Sequence, residues 1–228
     1  MKRKQFGVIG LGRFGSAMAT TLADLGHDVV GVDGSEERVR QLADTITHSI
    51  QLDATDERAL RAAGIHDVDV AVVSIGENIE SSLLVVMQLK ELGIKTIVAK
   101  AVTPLHGRIL EKLGVSRVIF PEREMAIRVA HGLVMPNVID YIELSKDFSI
   151  VDLPAPSAFV GQTLKQLELR PRYGLTLIAI KRKAQGGGAE QTNVAPTADE
   201  RILAGDTLSL LGSNERIAQL DDQLEKSR

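Results

Sequence analysis

From Gln5 to about Phe120 short β-branched runs alternate with stretches in which apolar residues return every three or four positions. The runs predict strands at Gln5–Ile9, Asp28–Asp33, Thr47–Leu52, Val70–Ser74, Thr96–Lys100 and Arg117–Phe120. The amphipathic stretches predict helices at Gly15–Leu25, Glu36–Asp44, Asp56–Ala63, Ile79–Leu92 and Leu105–Leu113. The ends agree with this reading, because Ser35 and Thr55 precede acidic first turns, while Gly26, Gly64, Gly93 and Gly114 each follow a helix. Strand and helix in regular alternation predict an α/β fold, a Rossmann-like doubly wound parallel sheet.

After Pro121 the pattern changes. A helix is expected over Glu122–Leu133, then a polar-apolar connector from Asn137 to Lys146. Short strands with long turns follow at Ser149–Leu153, Leu175–Lys181, Gln191–Val194 and Thr207–Leu211, with a glycine-rich hairpin end at Ala184–Glu190. A short helix at Thr163–Leu167 and a last one at Glu215–Leu224 complete a small α+β lobe. The expected boundary lies near 137 to 145, giving a nucleotide-binding domain over 1–136 and a second domain over 137–228.

Composition narrows the function classes. A chain of 228 residues with 44% hydrophobic residues can bury its own core. It has no cysteine, so disulfides, thiolate metal sites and a cysteine nucleophile are excluded. The net charge of -3, with no basic block, argues against nucleic acid as a partner. Polar residues interrupt every apolar run before the roughly 20 residues of a membrane helix, so the expectation is a cytoplasmic protein.

The candidate chemistry gathers where the first strand ends. Gly10, Gly12 and Gly15 form a GxGxxG between the first strand and the first helix. Gly10 permits the tight turn, Gly12 lets a phosphate approach bare backbone, and Gly15 allows close packing. The helix then aims its free N–H groups and positive dipole end at that phosphate. Asp33 closes the second strand and suits the hydroxyls of an adenosine ribose, while repelling a 2'-phosphate, which disfavours NADP.

In an open parallel sheet, ligands collect at the carboxyl ends of the strands. Those ends read Gly10, Asp33, Asp53, Ser74, Lys100 and Glu122, with Ala54, Ile75 and Gly76 beside them. Each has two readings. Asp53 accepts from the adenine amino group or is a turn residue, and Ser74 and Gly76 line phosphate or ribose or make a tight strand exit. Lys100 reaches a phosphate or is a solvated lysine. Arg13, followed by Phe14, offers a fixed bidentate cation to a terminal phosphate or makes a surface ion pair. The five histidines show no pairing that suggests chemistry, and no P-loop or metal-ligand cluster stands out, so the chain reads as a binder of nucleotides and not as an enzyme.

With KQFGVIGLGRFG, VVGVD, LDATDE, VAVVSIGENI, VAKA, LGVSRVIFPEREMA, GQTLKQLELRPRYGLTLIAIKR and ILAGDTLSLLG in order, the chain resembles the RCK (regulator of potassium conductance) family, and within it the regulatory subunits of bacterial Ktr/Trk-type potassium uptake systems. The resemblance covers both halves, an RCK_N-like and an RCK_C (TrkA-C)-like part. It implies homodimers assembled into an octameric ring beneath a membrane potassium-translocating subunit of the KtrB/TrkH kind, hence a protein peripheral to the inner face of the cell membrane. It implies ATP or ADP, or NAD(H) in Trk-like members, in the first half. Arg13 matches an arginine that reaches the terminal phosphate, and Glu122 a glutamate that helps to hold Mg or Ca at the dimer interface. Arg170 matches an arginine that contacts cyclic di-AMP in some relatives, although the GGG hairpin and RPRYG depart from their pattern. Two other readings compete: a small NAD-dependent oxidoreductase, which needs a catalytic acid or base, and an NADH-binding repressor, which needs a DNA-reading segment.

Overall fold

The structure, a computed structural model, describes residues 2–183 and 191–225. The expected hairpin end at Ala184–Glu190 lies outside the described residues. The chain divides into two compact units, Met1–Glu122 and Arg123–Arg228.

The first unit runs β1 (Gln5–Ile9), α1 (Arg13–Asp24), β2 (Asp28–Asp33), α2 (Glu36–Leu42), β3 (His48–Gln51), α3 (Glu57–Ala62), β4 (Val70–Val73), α4 (Ile79–Glu91), β5 (Thr96–Lys100), α5 (Pro104–Lys112) and β6 (Arg117–Ile119). Its strands form one parallel sheet in the order β3-β2-β1-β4-β5-β6. The strand order reverses beside β1, which is where an open α/β sheet leaves a crevice at its carboxyl edge.

Both faces of this sheet are covered. Successive residues of a strand point to opposite faces, and Val8 accordingly joins a cluster with Ala19, Val29, Val39 and Leu42, whereas Ile9 joins another with Leu60, Val85, Leu89 and Leu110. The helix-ending glycines take positive φ, from +74° at Gly114 to +84° at Gly93, a conformation that costs a residue with Cβ roughly 1–2 kcal/mol. Each helix therefore stops where its glycine stands.

The second unit begins in α6 (Pro121–Val134) and continues through β7 (Asp140–Glu143), β8 (Phe148–Pro154), α7 (Leu164–Leu167), α8 (Leu169–Tyr173), β9 (Thr176–Arg182), β10 (Gln191–Val194), β11 (Thr207–Ser213) and α9 (Asn214–Glu225). Its strands form an antiparallel sheet ordered β10-β9-β11-β8-β7 around a core that includes Val151, Leu153, Ile180, Leu208, Leu210 and Ile217.

The division falls earlier than the expected 137 to 145. The physical reason lies in α6, whose Arg128 pairs with Asp140 and whose His131 stacks on Tyr141 at 4.1 Å between ring centroids. Those contacts place all of the helix beyond Glu122 with the second unit. The expected connector Asn137–Lys146 also contains a strand, β7, paired to β8 through Asp140–Glu143.

Candidate functional site

Three hydrogen bonds clasp the glycine loop. The Gly10 amide donates to the Val32 carbonyl at 2.8 Å, the Leu11 amide donates to Asp33 Oδ2 at 2.7 Å, and Ser74 Oγ donates to the Gly10 carbonyl at 2.7 Å. β1 is thereby tied to β2 on one side and β4 on the other. Gly10 stands at φ +92°, which a side chain would strain.

Gly12 and Gly15 differ in what their missing Cβ leaves. At Gly15 a Cβ would run into the Gly10 carbonyl oxygen and stand 2.5 Å from Ser74 Oγ; at Gly12 it would meet nothing within 4 Å. Gly15 serves packing, and Gly12 leaves an open approach. Gly12 is also the N-cap of α1, where no side chain caps the helix and no acid stands in the first turn. The positive end of that helix is left without a side-chain partner. Arg13 beside it is exposed, and Phe14 is half-buried.

Asp33 is 8% exposed, and each of its oxygens holds a backbone N–H: Oδ2 that of Leu11, Oδ1 that of Ser35 at 2.8 Å. A carboxylate offers about four acceptor sites, so capacity toward a ribose hydroxyl remains. Lys100 ends β5 with its ammonium 2.5 Å from Glu122 Oε1 and its side chain 12% exposed. A Cβ at Gly76 would lie 3.4 Å from the same ammonium. The Lys100 hydrogen bond holds the Glu122 carboxyl below the usual carboxylate range, and the nearby Arg13 guanidinium adds to it. The fold thus gathers Arg13, Gly76, Lys100 and Glu122, which lie far apart in the chain.

Asp53 is exposed and accepts from the Thr55 amide at 2.9 Å and the Thr55 hydroxyl at 2.7 Å. The Thr55 hydroxyl is the main reason its carboxyl sits below the usual range. The helix cap expected at Thr55 is Asp56 instead, whose side chain accepts from the amides of Arg58 and Ala59 while Thr55 turns to Asp53. Ala54 and Ile75 are half-buried against the first core. The set as a whole supplies bare backbone, a helix end, two cations and a carboxylate.

Two families of domains match the chain: the TrkA-N domain over residues 6–121 and the TrkA-C domain over residues 148–225. The Ktr system potassium uptake protein C of Bacillus subtilis is 39% identical over 222 residues, covering 97% of this chain and 98% of that protein. The Ktr system potassium uptake protein A of Vibrio alginolyticus is 32% identical over 215 residues, covering 94% and 95%. The chain belongs to the Ktr/Trk family of potassium-uptake regulatory proteins. A solved structure described as the GsuK channel bound to NAD shares the fold, with a TM-score of 0.61 at 18% identity over 98% of this chain and 40% of that one.

In this Ktr/Trk regulator Glu122 does not fit a divalent cation by itself. Calcium takes six to eight oxygen ligands, yet among the described residues no group of three or more His, Asp or Glu is placed to hold a metal, and Lys100 already neutralises Glu122. Arg170 lies exposed on α8 in the second unit, away in the chain from the residues above. Among the described residues no helix is long and apolar enough to cross a membrane.

One residue of the site escaped the sequence reading. Arg38, in the first turn of α2, stands 3.5 Å from Asp33 Oδ2 and 3.8 Å from Glu77 Oε1. Its signal was positional, since helical side chains lean toward the N-terminus and the third helical residue covers the loop that precedes it.

Proposed function

We propose that this Ktr/Trk regulator is a cytosolic, nucleotide-sensing subunit that gates a membrane potassium-translocating partner of the KtrB/TrkH kind by exchanging ATP for ADP. The observation that carries the proposal is the open Gly12 approach at an uncapped helix end, with Arg13 next to it and the Lys100–Glu122 pair near enough to feel the Arg13 charge. The expected nucleotide residues divide into those that build the loop, Gly10, Gly15 and Ser74, and those that meet the ligand, Gly12, Arg13, Asp33, Gly76 and Lys100. Phe14, Asp53, Ala54 and Ile75 frame them.

Arg13 and Lys100 supply the sensing step. Drawn toward phosphate oxygens, they loosen their hold on Glu122, the second residue of α6, and that helix leads into the second unit. A third phosphate draws them more strongly than two, so ATP and ADP leave Glu122 with different partners. Coupling of about 1–3 kcal/mol per site is typical of allosteric proteins, and an octameric ring of homodimers would add several sites. Cyclic di-AMP at Arg170 is a second input in this scheme. NAD(H) is the alternative nucleotide, since a channel of the same fold is described as bound to it.

Reconstitution with the cognate potassium-translocating subunit tests the proposal. Flux should change when ATP replaces ADP, and Arg13→Gln should lower ATP affinity by about 1.5–3 kcal/mol while sparing ADP. Nucleotide-independent flux, or equal losses for the two nucleotides, would reject the reading.

A further inference from the structure

Arg38, at the Asp33 end of the crevice, has two carboxylate partners and both are distant. Its side chain is 44% exposed and its guanidinium carries five N–H donors. The contact to Asp33 is at the limit of a hydrogen bond, 3.5 Å, and the contact to Glu77 is 3.8 Å from a side chain that is 91% exposed. Asp33 meanwhile rests on two short bonds from the Leu11 and Ser35 amides. The two feet of Arg38 stand on different loops. Asp33 closes β2 and Glu77 follows β4, and in the sheet those strands flank β1 on opposite sides. Arg38 therefore reaches across the mouth of the crevice just outside the carboxylate that suits the 2' and 3' hydroxyls.

Asp33 alone would repel an anion at the ribose edge, which is why NADP looked disfavoured from the sequence. Two observations change that balance. The carboxylate charge is spread onto two backbone donors, and a guanidinium stands 3.5 Å from it. In dinucleotide folds an acid at this place bonds the 2' hydroxyl or an arginine nearby accommodates a 2'-phosphate, and here both residue types are present; the planar fork of arginine matches phosphate oxygens two at a time.

The geometry points to Arg38 as a specificity-determining residue that lets this site take adenine nucleotides bearing a phosphate on the ribose 2' oxygen. This rests on the nucleotide reading of the site given above. On binding such a ligand, Arg38 turns from Glu77 to the 2'-phosphate, and Asp33 keeps its backbone bonds and the 3' hydroxyl.

Displacement of radiolabelled ADP from the full chain by AMP and by adenosine 2',5'-bisphosphate tests this, because the two competitors differ only in the 2'-phosphate. The parent should bind the bisphosphate at least as tightly as AMP. Arg38→Gln should weaken the bisphosphate by about ten- to a hundred-fold and AMP by less than about threefold. Arg38→Lys should recover part of that loss, since it restores the charge without the fork. A parent that prefers AMP tenfold or more, or a variant that loses both competitors equally, would overturn the role of Arg38 and leave the nucleotide site standing. Failure of ADP itself to bind the folded parent would instead remove the nucleotide reading, and this inference with it.

Discussion

The two units treat buried charge in opposite ways. In the second, the charged groups of the sheet are bound to one another: Asp206, with its side chain fully buried, accepts from Arg182 at 2.7 and 2.8 Å and from the Leu203 amide at 2.8 Å. Asp152 accepts from Lys181 and from Ser209 Oγ, both at 2.5 Å, and Ser149 Oγ lies 2.7 Å from the Tyr141 hydroxyl and 2.6 Å from Asn214 Oδ1. In the first unit Asp33 closes β2, Arg13 opens α1 and Arg38 lies in the first turn of α2, and their hydrogen-bonding capacity is less fully used. The contrast separates charge that is fully paired within a sheet from charge left with capacity at the glycine loop, and each unit can be broken on its own terms.

The largest effect is expected in the second unit. Burial pushes the Asp206 carboxyl up, but the Arg182 guanidinium and the Leu203 amide outweigh it and hold the group charged. Arg182→Met leaves that charge buried without its main partner, which costs about 3–5 kcal/mol in comparable sites. Urea unfolding followed by the tyrosines, both of which lie in the second unit, should show the loss, with ADP affinity unchanged in the folded variant. A loss under about 1 kcal/mol would mean that the pair is not a structural clamp.

The next test sets two glycines of the first unit against each other. Gly15→Ala drives a Cβ into the Gly10 carbonyl and Ser74 Oγ, and overpacking of this kind costs about 1–3 kcal/mol. Gly12→Ala meets open space and ordinary φ, so stability should change by no more than about 1 kcal/mol, the size of a helix N-cap effect. Its effect should fall on the ligand instead. Calorimetry that finds full ADP affinity in Gly12→Ala would show that the phosphate does not approach there.

How much of this was legible in the sequence follows the same division. The parallel unit could be read almost to the residue, because a buried parallel strand is a continuous apolar run and four of its five α-helices, all but α2, end on a glycine; β1, β2 and β5 have their expected bounds. The loop glycines and Asp33 were legible because their spacing is itself the signal. The second unit was harder. β7 is four residues, Asp140–Glu143, of which only Tyr141 is buried, so it carries too little alternation to stand out. α8 holds Pro171 in its first turn, where proline is tolerated but looks like a breaker. Arg38, and the pairing of Lys100 with Glu122, depend on which loops the sheet order brings together, and no local pattern carries that.

The smallest effect concerns His106, a buried imidazole of the first unit. It is 1% exposed at the start of α5, its Nδ1 faces the Val102 amide at 3.4 Å, and its Nε2 is buried with no hydrogen-bond partner. Burial pushes its pKa down, below the ordinary 6.5. The unfolded chain therefore takes up a proton first as pH falls, so the unfolded state binds more protons between the ordinary and the lowered value. Stability should be full above about pH 6.5 and should decline below it, at about 1.4 kcal/mol for each unit by which the two pKa values differ. Thermal midpoints at pH 7.5 and 5.5 for the parent and for His106→Leu measure this, since the variant has no imidazole to protonate and should lose less between the two pH values. Equal losses would show that His106 takes its proton as readily folded as unfolded, and the first unit would then hold no buried titrating group of the kind that its partnerless Nε2 implies.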